Sequence, residues 1–324
     1  MTIMAEKTQM RRRRPNDGFS LLEMLVGIAV LMVVAGAAFY ALNQSQKVYG
    51  SQQLQADMHA GLRGAVELMV QEIGQAGSLP FTATTLTAAV TKNTAAQTVT
   101  LTSTANIFVG EQLTVDTGAN QEVVQVTALP GSNQIKGVFG QNHANGAAVA
   151  AYGVFPQGIL LPTTTAGNTL ELFGDINADG TLAYVRYDCS PGTSAAPGTL
   201  TRSFTVLSPG VTTQNQSQTL LNTLLQNPNN TSCFTPSMGS GGSVTTGNCP
   251  AGSNTFTCVT DMQVMLTVQT SEKDPETGQP MQMTKSFLNL SSRNVFAAYT
   301  IATTSSGAPS LLQQQPAGLP LPAP

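Results

Sequence analysis

The sequence predicts an α+β fold in which a long N-terminal transmembrane and amphipathic helix packs on an antiparallel β-sheet head. Three observations predict it. An apolar run covers residues 19–42, and an amphipathic pattern continues it to about residue 77. Further along the chain, short alternating runs separated by glycine, asparagine and proline replace the helical pattern, as is typical of strands and turns. We place an inserted small all-β module in residues 82–152 and the head in residues 153–300.

Residues 1–18 are predicted to be a basic leader. Arg11 to Arg14 keep this leader on the cytoplasmic side of a membrane, so that the chain after about Asn43 faces outward. The next 24 residues hold one charge, Glu23, and are long enough to cross a bilayer as a helix. An ordinary secretory signal has its small-residue cleavage site after the apolar run, whereas here the small residue Gly18 precedes it. Cutting after Gly18 would therefore remove the arginines and leave the apolar segment on the mature chain.

The segment Gly18-Phe19-Ser20-Leu21-Leu22-Glu23-Met24-Leu25-Val26 resembles the class III leader of type IV pilins and pseudopilins. The resemblance implies that a prepilin peptidase cuts after Gly18 and methylates the new amine of Phe19. It also implies that Glu23 pairs with the free N-terminus of a neighbouring subunit. An acid in hydrocarbon costs at least ~2.5 kcal/mol, and the helix dipole returns only roughly 0.3–1 kcal/mol, so a cationic partner is expected. The alternative, a plain membrane anchor with a solvated Glu23, leaves the Gly18-Phe19 pair unexplained.

An apolar stripe extends the helix beyond the membrane. Its members recur at steps of three or four residues: Leu54, Met58, Leu62, Val66, Met69 and Ile73. The other faces are expected to carry Asp57, Arg63, Glu67 and Glu72. We therefore assign residues 19–77 to the helix, which measures roughly 87 Å from Phe19 to about Ala76. Residues 67–77 resemble the end of this helix in PilW-like minor pilins.

The segment 82–152 contains four short alternating runs that predict strands. They are residues 98–101, 112–115, 122–126 and 134–139, with a turn at 116–120. This segment resembles no part of a pilin core, and we interpret it as a surface decoration. Contact with a partner or a target surface is the alternative.

The segment 153–300 is predicted to form the β-sheet of the head. Strands are predicted at residues 169–173, 182–187, 198–202, 262–268 and 281–290. Residues 286–295 resemble the closing strand of the same minor pilins. Residues 301–324 are rich in proline and glutamine and are predicted to be a disordered tail.

All four cysteines lie in the part predicted to be extracytoplasmic. They are Cys189, Cys233, Cys249 and Cys258. An even number in that location indicates disulfides, for which three connectivities are possible. The short spacing favours Cys249–Cys258, which leaves Cys189–Cys233 as the other pair. Metal binding by these cysteines is less favoured, because the sequence contains no C-x-x-C pair.

The run from Asp175 to Gly180 has the first half of a calcium loop. Asp175, Asn177 and Asp179 would supply oxygen ligands, and Gly180 allows a sharp turn. The acid expected at the twelfth position is replaced by Arg186. We therefore favour a β-hairpin turn with no cofactor, and keep calcium as the alternative.

Composition argues against several function classes. Charged residues make up 10% of the chain, which suits a secreted or appendage protein better than a cytosolic enzyme. The net charge of −3 would become −6 after loss of residues 1–18, so no basic footprint for nucleic acid remains. No catalytic motif is present; of the two histidines, His59 is expected to be solvated or at an interface, and His143 is expected to be exposed. The sequence therefore predicts no enzyme.

The function that these features predict is a structural subunit, a minor pilin of a bacterial type IV pilus. The precursor would lie in the inner membrane with its head outside, and the mature chain would then join the pilus. Its partners would be the prepilin peptidase and other pilin subunits. Close helix approach would use the small residues Gly27, Ala29, Ala35, Gly36, Ala37 and Ala38. A pseudopilin of type II secretion and a membrane-anchored surface adhesin are the alternatives.

Overall fold

The computed structural model describes most of the chain after the leader. The described residues are 18–80, 83–155, 157–160, 167–208, 211–237, 258–304 and 311–313. The predicted leader, apart from Gly18, therefore lies outside them. Within the described part the fold is α+β, as predicted, with antiparallel pairing between all the strands.

The first element is a single helix, α1, which runs for 55 residues from Leu21 to Gln75. At 1.5 Å per residue it is about 83 Å long. Its first half is uncovered, because every residue from 18 to 49 is exposed apart from the half-buried Ala35. Its second half buries one stripe at helical spacing: Leu62, Ala65, Val66, Met69, Glu72 and Ile73. The predicted stripe is thus confirmed from Leu62 onwards, while Leu54 and Met58 are half-buried.

The buried stripe of α1 packs on an eight-stranded antiparallel sheet. Its strands are β7 (Ile159–Leu160), β8 (Thr169–Gly174), β9 (Ala183–Ser190), β10 (Gly198–Ser208), β11 (Val211–Leu225), β12 (Phe234–Ser237), β13 (Asp261–Gln269) and β14 (Gln282–Ser291). Their spatial order is β12-β13-β11-β10-β9-β8-β7, and β14 pairs with β13. Met69 and Ile73 are fully buried in a shared core with Leu172, Val185 and Val264. This burial fixes the second half of α1 to the head.

A smaller β region precedes this sheet and has its own core. Its strands are β1 (Thr84–Thr85), β2 (Gln97–Thr100), β3 (Gln112–Val115), β4 (Glu122–Gln125), β5 (Gln134–Gly137) and β6 (Ala148–Ala151). They form a four-stranded sheet in the order β1-β6-β3-β4 and a two-stranded β2-β5 pair. Leu113, Ile135 and Phe139 are fully buried in its core. The four strands predicted here are present, whereas β1 and β6 were not predicted.

The chain leaves α1 through a turn that holds the helix end against the head. The N–H of Gly77 donates to the Phe173 carbonyl at 2.7 Å, and the Gly77 carbonyl accepts from the Phe155 N–H at 2.9 Å. Gly77 has φ +79°, and a Cβ there would lie 2.5 Å from the Phe155 oxygen. Glycine is therefore required where the helix stops.

Three sequence predictions differ from the structure near the C-terminus. The predicted closing strand 286–295 ends at Ser291, and helix α2 (Arg293–Thr304) begins two residues later. Val295 and Ala298 are buried at helical spacing, which favours the helix. The predicted disordered tail is wrong for residues 301–304, which complete α2. It is also wrong for residues 311–313, where Leu312 is buried and forms a parallel bridge with Val154. The boundaries of the predicted domains stay predictions.

Candidate assembly site on the N-terminal helix

The predicted processing segment is extended and exposed. Ser20 precedes α1 with φ −67° and ψ 141°, and its carbonyl accepts the first helical hydrogen bond from the Met24 N–H at 3.1 Å. The side chain of Phe19 is 84% exposed. Gly18 and Phe19 therefore lie in exposed, non-helical backbone just before the helix.

Glu23 lies in the first turn of α1. A carboxylate favours this position because the backbone N–H groups of the first turn are unpaired and the helix dipole is positive there. None of the ion pairs among the described residues involves Glu23. The described part of the chain therefore offers no cation to this acid.

The surface around Glu23 is apolar and smooth. Seventeen large apolar side chains from residue 19 to residue 49 are exposed, and Leu21, Phe39 and Tyr40 are each more than 70% exposed. Gly27 and Gly36 have nothing within 4 Å of the position of a Cβ. Such positions allow the backbone of another helix to approach closely. Within the described residues, α1 is the one helix long and apolar enough to cross a membrane.

A buried carboxylate joins the second half of α1 to the sheet. Glu72, which the sequence placed on a polar face, is only 3% exposed. Its Oε1 accepts a hydrogen bond from Nε of Arg202 at 3.0 Å, and Arg202 also donates from Nη2. The hydroxyl of Tyr187 donates to Oε2. The prediction for Glu72 was wrong because it relied on the charge of the side chain. Glu72 follows Met69 by three residues, and this helical spacing places it on the buried stripe.

The charges in this cluster support one another. Burial opposes the positive charge of Arg202, but the hydrogen bond and the charge of Glu72 outweigh it and raise the guanidinium pKa. Burial and the Glu72 carboxylate also raise the pKa of Tyr187, which keeps its hydroxyl a donor. The guanidinium lies 5.2 Å from the centre of the Phe204 ring. The cluster fixes the rotation of α1 on the head, and no sequence motif indicates it.

His143 is buried, although the sequence predicted an exposed loop histidine. Its Nδ1 lies 3.1 Å from Oδ2 of Asp116, and its Nε2 lies 2.6 Å from Oε1 of Glu122. The two carboxylates flank a 3₁₀ turn at residues 118–120, and each of them contacts a different nitrogen of the ring. The hydrogen bond from the Thr117 N–H and the one with His143 lower the pKa of Asp116. The prediction was wrong because both carboxylates are distant in sequence from the histidine.

The predicted calcium loop forms the turn between β8 and β9. The two oxygens of Asp175 accept the N–H groups of Asp179 at 3.0 Å and Gly180 at 3.1 Å. A carboxyl oxygen of Asp179 accepts the Thr181 N–H at 2.9 Å, and Asn177 is exposed. The β-hairpin turn is present, with positive φ at Ala178 and Gly180. Among the described residues no group of three or more histidine, cysteine or acidic side chains is arranged to hold a metal ion. The prediction that the loop holds no cofactor, and its calcium alternative, both stay untested.

The cysteines of the head form disulfides. Cys189 on β9 is joined to Cys233, just before β12, across a Cα–Cα distance of 6.4 Å. This pair is one of the two that the sequence favoured. Cys258 is also disulfide-bonded, and Cys249 lies outside the described residues.

One comparison with known proteins finds a match. Residues 13–39 match the family model described as the prokaryotic N-terminal methylation motif. The matched segment includes Gly18, Phe19 and Glu23, and it covers a small part of the chain. No curated protein matches, and no solved structure matches. The match supports a prepilin-type protein, whereas it gives no information on the head.

Proposed function

We propose that this chain is a minor pilin of a bacterial type IV pilus. The match to the methylation motif supports a pilin-like structural subunit rather than an enzyme. In the proposed pathway the precursor lies in the inner membrane with its head outside. A prepilin peptidase cuts after Gly18 and methylates Phe19, and the mature subunit then joins the filament.

The observation that carries the proposal is the uncovered half of α1. From residue 18 to residue 49 the chain presents an apolar helix that no other described element covers. A membrane covers such a helix in the precursor, but in a filament only neighbouring subunits can do so. Head-to-tail contacts of this kind do not close on themselves, and they generate a helical filament.

Glu23 sets the register of assembly in this proposal. Burying its carboxylate among helices costs more than the helix dipole returns, so the acid requires a cation. Cleavage after Gly18 creates a positively charged amine on Phe19, four residues away in sequence. A neighbouring subunit shifted along the filament brings its own amine to Glu23.

The first experiment determines the mature N-terminus by mass spectrometry. We expect a chain that begins with methylated Phe19. The variant Gly18→Val should remain uncut, because the small residue at the cleavage site is lost, while Gly27→Val, the same change inside the helix, should be cut normally. An intact Met1 in the wild-type protein would overturn the proposal.

The second experiment removes the charge of Glu23. Glu23→Gln should abolish incorporation into pili while leaving the amount of cleaved protein in the membrane unchanged. Asp57→Asn is the matched control, because Asp57 is an exposed acid of the same helix beyond the predicted span. Normal incorporation of the Glu23→Gln protein would show that the pairing is wrong.

The alternative of a type II secretion pseudopilin shares the leader and the helix. Deletion of the gene separates the two functions. Loss of pili with normal secretion is the expected result, and normal pili with blocked secretion would favour the pseudopilin.

A further inference from the structure

The sheet of the head ends in a long open strand. β14 pairs with β13 over its whole length, from Gln282 to Ser291, and within the described residues no strand pairs with its other side. Met283, Phe287 and Leu290 pack against the head core but stay partly exposed. β14 is therefore an edge strand, whose unpaired backbone groups can accept a further strand.

A groove separates this strand from α1. It has a volume of about 400 Å³, and its apolar lining is formed by Leu62, Val66, Val70 and Phe287. Val70 is 38% exposed although it lies one helical turn beyond the buried Val66. A strand added next to β14 would lie about 4.8 Å from it, and its inward side chains would cover this apolar lining.

The rim of the groove is basic. Arg63 and Lys285 lie along it, and Arg293 lies in an adjoining pocket that also contains Glu67 and Val70. Glu67, an acid at the same rim, forms an ion pair with Arg63, in which Nε of Arg63 lies 2.6 Å from Oε1 of Glu67. Two of the nine basic residues outside the leader thus line this groove and a third lies in the adjoining pocket, although the chain without its leader has a net charge of −6. Charge complementarity favours an acidic occupant.

We propose that β14 and this groove bind an extended acidic segment of another protein by strand addition. The backbone of that segment would pair with the open side of β14. Its alternate apolar side chains would fill the groove over Phe287 and Val70, and its acidic side chains would face Lys285 and Arg293. This role goes beyond assembly through α1, because it gives the head a partner of its own.

The test uses the full-length protein in detergent micelles and a labelled ten-residue peptide in which glutamate and valine alternate. Fluorescence anisotropy should show saturable binding. Lys285→Glu should weaken it by about tenfold, because an attraction becomes a repulsion at the rim. Lys273→Glu is the matched control, since Lys273 is an exposed lysine in the loop before β14, and it should bind as the wild type does.

Two further peptides separate strand addition from other modes of binding. A peptide with alternate backbone nitrogens methylated keeps its side chains but cannot pair with a strand, so we expect about tenfold weaker binding. A lysine–valine peptide should not bind. The proposal is overturned if the wild type does not bind the glutamate–valine peptide, if the methylated peptide binds equally well, or if both lysine variants behave alike. Dimerisation of the wild type that Lys285→Glu abolishes would instead identify a second copy of this chain as the occupant. None of these results depends on cleavage at Gly18.

Discussion

The two halves of α1 belong to one continuous helix, yet they differ in how their apolar surface is covered. In the first half, apolar residues surround the helix, so no rotation of it could hide them within the chain. In the second half, they form one stripe, and the sheet of the head covers that stripe. Within the described residues the first half is thus left without a cover, whereas the second half is covered by the head.

Each half also carries one acid in an apolar setting. Glu72 has its cation within the same chain, because Arg202 on β10 lies against it. Glu23 has none among the described residues. The comparison supports the proposal that the partner of Glu23 belongs to another molecule.

The largest expected effect comes from breaking the pair in the packed half. Glu72→Ala leaves the guanidinium of Arg202 buried without a counter-charge and the Tyr187 hydroxyl without an acceptor. Such changes lower the free energy of unfolding by about 3–5 kcal/mol. Denaturant unfolding of the full chain in micelles, followed by near-UV circular dichroism of the head, measures the loss.

A matched control for this prediction lies on the exposed face of the same helix. Glu67→Ala removes a carboxylate of the same kind that is paired only at the surface, so the unfolding midpoint should hardly change. If Glu72→Ala unfolded at the midpoint of the wild type, the assignment of Glu72 as the anchor of α1 would be wrong.

The next prediction compares one methionine in each half. Met69 is fully buried, whereas Met32 is 68% exposed. Met69→Ala should lower the free energy of unfolding of the head by about 2–5 kcal/mol, because it leaves a cavity in the core. Met32→Ala should change it by less than about 0.5 kcal/mol, as is usual for exposed sites. Equal effects in denaturant unfolding would contradict the division of α1 into a packed and an uncovered half.

The long helix and many of the strands could be predicted because their signals are local. Period and length identify α1, and alternation identifies β3 and β13. β11 was missed, because its run of threonine, glutamine and asparagine lacks an apolar alternation. Its residues 211–225 are held by pairing along the whole of β10. Strands that depend on a neighbour more than on burial leave little trace in their own sequence.

The charged clusters could not be predicted because their members are far apart in the chain. Glu72 and Arg202 are 130 residues apart, and the topology of the sheet brings them together. The same is true of His143 and its two carboxylates, which are 21 and 27 residues away. Sequence patterns report periodicity within an element, whereas these contacts follow from the order of the strands.

Another buried acid, Glu111, shows what happens when no cation is supplied. Glu111 lies before β3 and is fully buried. Its Oε2 accepts the Phe108 N–H at 3.0 Å, while its Oε1 has no hydrogen-bond partner in the described part of the chain. Burial raises the pKa of Glu111 to about 7, although the hydrogen bond from Phe108 opposes the shift. Below about pH 7 this acid favours its neutral form in the folded protein.

The smallest expected effect is the dependence of folding stability on pH that Glu111 causes. Its folded pKa of about 7 lies above its ordinary value of 4.5, so the folded state holds the proton more tightly. The contribution of Glu111 to stability is greatest below about pH 4.5, falls as the pH rises, and is smaller by up to roughly 3 kcal/mol above about pH 7. Glu111→Gln should remove this fall between pH 5 and pH 8 and melt at a higher temperature than the wild type at pH 8. Glu67→Gln, an exposed control, should keep the wild-type dependence. If Glu111→Gln kept it too in thermal unfolding, another group would be responsible for the titration.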